Sequence, residues 1–408
     1  MPDRLYLDNA ATSFPKPPCV LEAMTRYAKG CGAPGRGLYA EARHAAGLIA
    51  DARVNIARLI AADRSEQVVF GYNTTDGLNL AIHGVVSQRL RTQPNKPIHL
   101  VTTVMDHNSV LRAFNALIAA HPGQVTQTRV DADPQTGRVA PSAVCHALRD
   151  DTVLVAINHA SNVTGVLQEV ASIGALCRRN NVLFLLDAAQ SLGHFPVDVE
   201  ALSVDLLAFP GHKGLLGPTG TGGLYIRPGV EALVDPVRQG GTGTRSELDV
   251  QPSFMPDRYE PGSHNTIGLA GLAAAVGWIL DHGVAALRNH ELGLIRQTLD
   301  AAAAGELGLG WQLLGPTEPE GRVGVFSFVH DSLPATRIAE LLEHEHGILS
   351  RPGLHCAPLA HRALTDGAGA LRLSVGPFVT QADIVRVLEA LRTIGASARR
   401  GVAAVVAS

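Results

Sequence analysis

Lysine is scarce in this chain. Of its 34 basic residues only Lys16, Lys29, Lys96 and Lys213 are lysine, and arginine supplies the rest. Ordinary surface charge is therefore carried by arginine, so a lysine in apolar surroundings calls for its own reason. A charge excess is also missing. The formal net charge of −3 gives no electrostatic case for nucleic acid or an anionic membrane as partner. Long apolar runs are absent, and stretches such as "VLFLL" are too short to span a bilayer. The opening "MPDRLYLDNAATS" has neither the basic nor the apolar region of a secretory signal, so a cytoplasmic protein is expected. Cys19, Cys31, Cys145, Cys177 and Cys356 are odd in number and contain no C-x-x-C pair. A disulfide framework is not expected, nor is a metal site.

What is present describes a globular protein: 408 residues, 46% apolar and 17% charged, enough for one large or two medium domains. The pattern from Pro18 to Ala62 is helical, interrupted by the loop "GAPGRG" (Gly32 to Gly37). Short runs rich in valine, isoleucine and leucine then alternate with helical stretches: "QVVFGY", "IHLVTT", "TVLVAIN", "VLFLLD" and "LLAFPG". That alternation predicts an α/β fold with a mostly parallel sheet covered by helices. "GGLYIR" follows closely enough to add an antiparallel strand. Residues 239–262 are rich in glycine, proline and charge and read as a long loop. "TIGLAGLAAAVGWILDHG" is a helix ended by Gly283, and the remainder reads as a smaller α+β domain, with a junction between residues 260 and 285.

In such sheets ligands sit beyond the carboxyl ends of the strands. The polar residues placed there are Tyr72 to Thr75, Asp106 and His107, Asn158 to Asn162, Asp187 and Lys213. Alone, Asp187 reads as a helix cap. With Gln190 and Lys213 nearby, a second reading arises. A buried lysine forms Schiff bases, and a carboxylate at a strand end suits a pyridinium nitrogen, which together suggest pyridoxal phosphate. "GYNTTDG" then supplies hydroxyls and backbone N–H groups at a helix start for the phosphate, although Thr74 or Thr75 also suits an ordinary N-cap. His107, viewed singly, reads as a structural histidine; at a strand end beside this pocket it is also placed to stack on a planar ring. "GPTGTGG" fits no nucleotide loop, and "EHEHG" reads as a solvated helix end capped by Gly347. Cys356, in "SRPGLHCAPLAH" beside Arg351, has the loop setting and cationic neighbour of a reactive thiolate; a spectator thiol is the alternative. Cys177 fits core packing in a helix.

The set "YLDNAATS", "NTTDGLN", "MDHNSV", "NHASNVTG", "LLDAAQSLGH", "GHKGLLGPTG", "EPGSHNT", "SRPGLHCAP" and "LRLSVG" resembles, in order and nearly end to end, the cysteine desulfurases and selenocysteine lyases of aminotransferase class V. The short R-x-G-x-x-C loop is similar to the group II branch. The resemblance implies PLP fold type I, with a seven-stranded-type sheet in a large domain of residues 16–262. Residues 1–15 and 263–408 would form the small domain carrying the cysteine loop. It implies that Lys213 binds pyridoxal 5'-phosphate covalently and moves protons at the substrate carbons. Asp187 would pair with the ring nitrogen, Gln190 with the ring oxygen, and His107 would stack on the ring. Thr75 and His212 would hold the phosphate, with Ser263 reaching it from the other subunit of a homodimer. Asn162 and Arg372 would bind the substrate carboxylate, while Cys356 takes the sulfur as a persulfide and Arg351 supports its loop.

One position departs from that pattern: where the family usually has a phosphate-contacting serine, this chain has Pro210. Proline offers neither hydroxyl nor N–H, so phosphate binding leans on Thr75, His212 and Ser263. The implied substrate is L-cysteine, with L-selenocysteine as an alternative and a sulfur-acceptor protein as a further partner. A β-lyase, epimerase or aminotransferase on the same scaffold stays open, as does a weakly catalytic sulfur carrier.

Overall fold

The computed structural model describes residues 4–34 and 37–406, with side chains to residue 398. Gly35 and Arg36 of the expected "GAPGRG" loop lie outside the described residues. In chain order the first half contains β1 (Leu5–Tyr6), α1 (Pro18–Gly30), α2 (Ala40–Leu59), β2 (Val68–Gly71), α3 (Thr74–Thr92), β3 (Ile98–Thr103), α4 (Asn108–Ala120), β4 (Val125–Val130), α5 (Pro141–Ala147), β5 (Thr152–Asn158), α6 (Val170–Arg179), β6 (Leu183–Asp187), β7 (Leu206–Pro210) and β8 (Gly222–Ile226). The second half contains α7 (Thr266–His282), α8 (Val284–Ala303), β9 (Trp311–Leu313), β10 (Val325–His330), α9 (Ala335–His346), β11 (Ile348–Leu349), β12 (Arg351–Gly353), α10 (Pro358–Thr365), β13 (Ala370–Ser374) and α11 (Gln381–Val406).

Seven strands form the large sheet in the order β2-β8-β7-β6-β5-β3-β4. From β7 to β4 every pairing is parallel, while β8 is antiparallel to both of its neighbours. The antiparallel strand expected from "GGLYIR" is therefore present. Strands β3, β5 and β7 are buried at every position, as continuous apolar runs between two helical layers must be. One strand of this sheet escaped the sequence pattern. β4, "VTQTRV", is largely polar and half-exposed because it pairs only with β3, at the sheet edge. The order of strands reverses between β3 and β5, and this switch point opens a crevice at their carboxyl ends.

The small sheet is antiparallel, in the order β12-β13-β10-β9. It shares a core with α8, α9 and α11 through Leu294, Ile295, Phe326, Phe328, Ile338 and Leu391. The N-terminal segment belongs to this side: β1 pairs with β11, and Asp8 bridges to Ser374. Helix α7 goes the other way. Its Leu269, Leu272, Val276 and Ile279 join Val20, Ala52 and Ile56 in the large-sheet core, so that core continues beyond residue 262. Gly283, at φ 80°, then closes α7 and opens α8, and the two helices bend by 79°. Among the described residues no single helix is long and apolar enough to cross a membrane.

Helix α3 lies close against β8 because Gly77 has no side chain. A Cβ there would sit 2.5 Å from the Gly223 carbonyl oxygen and 3.3 Å from the Ala208 Cβ. Backbone cannot yield as a flexible side chain does, so Gly77→Ala is expected to destabilise the fold by about 2 kcal/mol. Urea denaturation measures this; an unchanged midpoint would mean that α3 is free to shift.

Candidate active site

Five loops leaving the carboxyl edge of the large sheet meet at one cleft. Thr75, His107, Asn162, Asp187, His212 and Lys213 line it, together with Gln190. The sequence-predicted set is thus brought together, with four exceptions. Ser263 lines a separate cleft with Tyr72, Arg238 and His264. Arg351, Cys356 and Arg372 reach the first cleft through hydrogen bonds described below.

Asp187 ends β6 and is buried; its Oδ1 accepts the Ala189 amide at 2.9 Å. Burial raises its carboxyl pKa, while the nearby Lys213 charge works in the other direction. Lys213 is partly buried in the turn after β7. Its amine pKa is lowered to about 8, chiefly by burial, with Asp187 opposing the shift. Among the described residues Nζ has no hydrogen-bond partner. The turn itself is pinned by its own backbone. The His212 carbonyl accepts from Thr12 Oγ1 at 3.0 Å, Ser13 N at 2.9 Å, Ser13 Oγ at 3.1 Å and Lys16 Nζ at 3.1 Å. The His212 ring is pushed down to about 4 by burial and the lysine charges, and its Nδ1 is buried without a partner.

The opposite end of the cleft is the start of α3. The cap is Asn73, not either threonine: its side chain accepts the Asp76 amide at 3.0 Å. Thr75 Oγ1 bonds Ser109 Oγ at 2.9 Å, and Ser109 Oγ bonds His107 Nδ1 at 2.9 Å. Nδ1 also accepts the Ser109 amide at 3.1 Å and so caps α4. Burial and surrounding cations lower His107 to about 4, so its ring is neutral at pH 7. Ser109 entered the sequence reading only within the motif "MDHNSV", with no role assigned to it. Gly222 allows the α3 turn to come this near, since a Cβ would lie 2.8 Å from the Asn73 Cα. Pro210 is the last residue of β7, paired with Gly222.

The third wall joins the two sheets. Asn162 Nδ2 donates to the His355 carbonyl at 2.6 Å, and the Asn108 amide donates to the Cys356 carbonyl at 2.9 Å. Cys356 is exposed, and Arg351 Nη2 lies 3.9 Å from its sulfur. His355 is turned away from the thiol, bonding Arg351 O at 3.0 Å and His361 Nε2 at 3.2 Å. Arg372 is almost fully buried; Nη1 donates to the Asn162 carbonyl at 3.2 Å and Nη2 to Asp8 Oδ1 at 2.6 Å. Its Nε is buried and unpartnered. Asp8 was legible only as part of a motif. Cys177, by contrast, is fully buried, with its thiol pushed up to about 12, and is inert.

These features suit pyridoxal 5'-phosphate. The α3 N-terminus, Thr75 and the open His212 Nδ1 offer donors for a phosphate; Asp187 offers a carboxylate for a ring nitrogen; Lys213 offers an amine committed to nothing else. Gln190 Nε2 donates to the Ala10 carbonyl at 3.0 Å and keeps a second hydrogen for the ring oxygen.

Fold and cleft together define an α/β protein of PLP fold type I. The chain belongs to the aminotransferase class-V family, whose model matches residues 5–387. It is 33% identical over 398 residues to a probable cysteine desulfurase of Methanothermobacter thermautotrophicus, covering 96% of this chain and 95% of the relative. It is 34% identical to a probable cysteine desulfurase of Pyrococcus abyssi, covering 89% of this chain and 88% of that one. Among solved structures, the apo cysteine desulfurase of Thermococcus onnurineus superposes with a TM-score of 0.87 at 30% identity, covering 97% of this chain and 95% of that chain. A cysteine desulfurase of Escherichia coli shares the fold at a TM-score of 0.82 and 24% identity, covering 95% of this chain and 94% of that chain.

The lowered lysine pKa has a consequence for stability. Between about 8 and 10.5 the unfolded chain holds a proton that folded Lys213 does not, so this group's contribution to stability rises with pH across that window. At pH 7 the buried ammonium is a cost. Cofactor-free Lys213→Met is therefore expected to be about 1–2 kcal/mol more stable than cofactor-free wild type at pH 7. The gap should close toward pH 10. Denaturation at both pH values tests the sign; a wild type that is the more stable at pH 7 would contradict it.

Proposed function

We propose that this protein is a pyridoxal 5'-phosphate-dependent cysteine desulfurase that converts L-cysteine to L-alanine and captures the sulfur as a persulfide on Cys356. The observation that carries this reading is the placement of Cys356. An exposed thiol on a loop tied to Asn162 and to the start of α4 stands beside the lysine cleft, with Arg351 near its sulfur. The names of the relatives support the same reading.

When bound, pyridoxal phosphate supplies an electron sink that weakens bonds at the Cα and Cβ of an amino acid. Thr75, His212 and the N-terminus of α3 would hold its phosphate, Asp187 its ring nitrogen, and Gln190 its ring oxygen. His107, a neutral imidazole at pH 7, would cover the ring face. Asn162 and Arg372 would orient the substrate through its carboxylate. With an amine near 8, Lys213 carries protons to and from substrate carbons close to neutral pH. Cys356 Sγ attacks the substrate sulfur: an S–S bond forms, the Cβ–S bond breaks with its electron pair going to Cβ, and Cβ takes a proton to become the alanine methyl group. A partner protein then accepts the sulfur. L-Selenocysteine would enter the same site.

Ser263 would complete the phosphate site of a second copy, since in its own chain it faces a different cleft. A homodimer with shared sites follows. Sedimentation should give a dimer at micromolar concentration, and a fully active monomer would contradict this arrangement.

The role of Cys356 has its own test. Cys356→Ala should retain cofactor absorbance yet lose alanine release from L-cysteine by at least ~100-fold, because no thiolate remains to take the sulfur. Cys177→Ala should instead cost about 1–2 kcal/mol of stability and little turnover. Alanine assay with alkylation trapping of persulfide compares the two at equal cofactor occupancy. Undiminished alanine release by Cys356→Ala would favour a lyase.

A further inference from the structure

Arg322 and Arg372 are the largest fully buried side chains among the described residues; Arg372 meets Asp8, whereas no carboxylate meets Arg322. Its two terminal nitrogens bond backbone carbonyls, while Nε is buried without a partner. Nη2 donates to Thr164 O at 2.7 Å and to Val325 O at 2.7 Å, and Nη1 donates to Pro316 O at 2.9 Å. The guanidinium also lies 4.9 Å from the centre of the Phe326 ring. A buried cation without an anion is costly, and an apolar side chain of similar size would pack there at less expense. Burial lowers its pKa to about 9, which still leaves it charged at neutral pH.

The three acceptors span the two halves of the molecule. Thr164 lies in the turn after β5, on the large sheet; Pro316 follows β9 and Val325 begins β10 of the small one. Other bonds close the same seam: Val323 N to Gly165 O at 2.8 Å, Leu167 N to Gly321 O at 2.9 Å, and Ser327 Oγ to Val163 O at 2.6 Å. Gly165, at φ 75°, lets the backbones meet, since a Cβ would sit 2.6 Å from the Val323 carbonyl oxygen. The turn so fastened carries Asn162. The neighbouring strand of the small sheet carries Arg372, which donates to the Asn162 carbonyl.

We propose that Arg322 is a positioning residue for substrate recognition. It fastens the Asn162 turn of the large sheet to the small sheet and thereby fixes the spacing of Asn162 and Arg372, the two side chains that take the substrate carboxylate. The inference rests on the desulfurase reading given above. It separates the two ends of the site: the phosphate donors on α3 and the Lys213 turn do not touch the seam, so loosening it acts on amino-acid binding and leaves cofactor binding alone.

Two variants test it. Arg322→Lys keeps a charge but loses the fork that reaches several carbonyls, and Ser327→Ala removes one bond from the same seam with little risk to folding. KM for L-cysteine should rise about tenfold in Arg322→Lys and about threefold in Ser327→Ala, with kcat within about twofold of wild type. L-Alanine, which has the carboxylate but no sulfur, should show a parallel rise in dissociation constant by spectral titration, while affinity for pyridoxal phosphate stays unchanged. If Arg322→Lys does not fold, Ser327→Ala alone decides. An unmoved KM, or a fall in cofactor affinity and kcat in step with KM, would overturn the proposal. A wild type that releases no alanine from L-cysteine would overturn the desulfurase reading and this inference with it; normal wild-type kinetics with unmoved variants would overturn this inference only.

Discussion

Holding one amine, partly out of water, at the end of a buried strand is the constraint on which the site depends. The turn Gly211 to Gly214 leaves β7 with its His212 carbonyl facing four donors, from Thr12, Ser13 and Lys16. Those donors belong to the N-terminal segment, whose first strand is paired into the small domain. The lysine turn is therefore clamped between the two halves of the molecule. Two of the four lysines meet here. Lys16 Nζ bonds Ser13 Oγ at 2.7 Å as well as the His212 carbonyl, a compact point charge serving two oxygens, while Lys213 carries the amine proposed to react. Arginine, whose pKa exceeds 12 in ordinary surroundings, suits neither a neutral nucleophile nor a proton carrier.

The sheet topology explains why the other groups converge on this turn. Parallel strands deliver their carboxyl ends to one edge, so Asp187 at the end of β6, Asn158 at the end of β5 and His107 beyond β3 all line the same crevice. Asp106 fastens two of these strands. Buried, with its carboxyl pKa raised to about 6 by desolvation, it accepts from Thr102 Oγ1, Thr103 N, Thr103 Oγ1 and Asn158 N, at 2.7–2.8 Å. A carboxylate held by four donors keeps the β3 and β5 ends in register, which fixes His107 relative to Asn162.

Lys213 and Asp187 were legible because each breaks a local rule: a lysine in an arginine-rich chain, and a carboxylate closing an apolar strand. The buried strands were legible as uninterrupted runs of apolar residues. β4 was not, since its polar alternation at a sheet edge carries the same signal as a loop. Glu260 was invisible for a different reason. It accepts from both terminal nitrogens of Arg53, at 2.8 and 2.9 Å, and from the Phe70 amide at 2.6 Å, and so anchors the segment bearing Ser263 to α2 and β2. Partners 207 residues apart leave no mark on local composition. The same holds for Asp8 with Arg372, and for Arg322 with its carbonyls: a buried arginine reads in sequence like an exposed one. Sequence pattern therefore reports what a residue does to its own strand or helix, while interactions between distant segments emerge only from the fold.

The loop of Cys356 shows how an exposed thiol is held in place by its surroundings. His355 and Cys356 both adopt left-handed backbone conformations, at φ 52° and 58°, each costing on the order of 1 kcal/mol for a residue with a side chain. Such strain persists only where the surroundings over-determine it. Here the His355 carbonyl is held by Asn162, the Cys356 carbonyl by the Asn108 amide, and the His355 ring by Arg351 O and His361. Three of these partners come from outside the loop, two of them from the large sheet's side of the cleft. The loop therefore stands at a set position relative to Asn162 and, through the Asn162 carbonyl, to Arg372, while its sulfur remains exposed. An exposed sulfur on a fixed loop beside the lysine cleft is what the proposed sulfur transfer requires, since an acceptor would have to reach it from solvent.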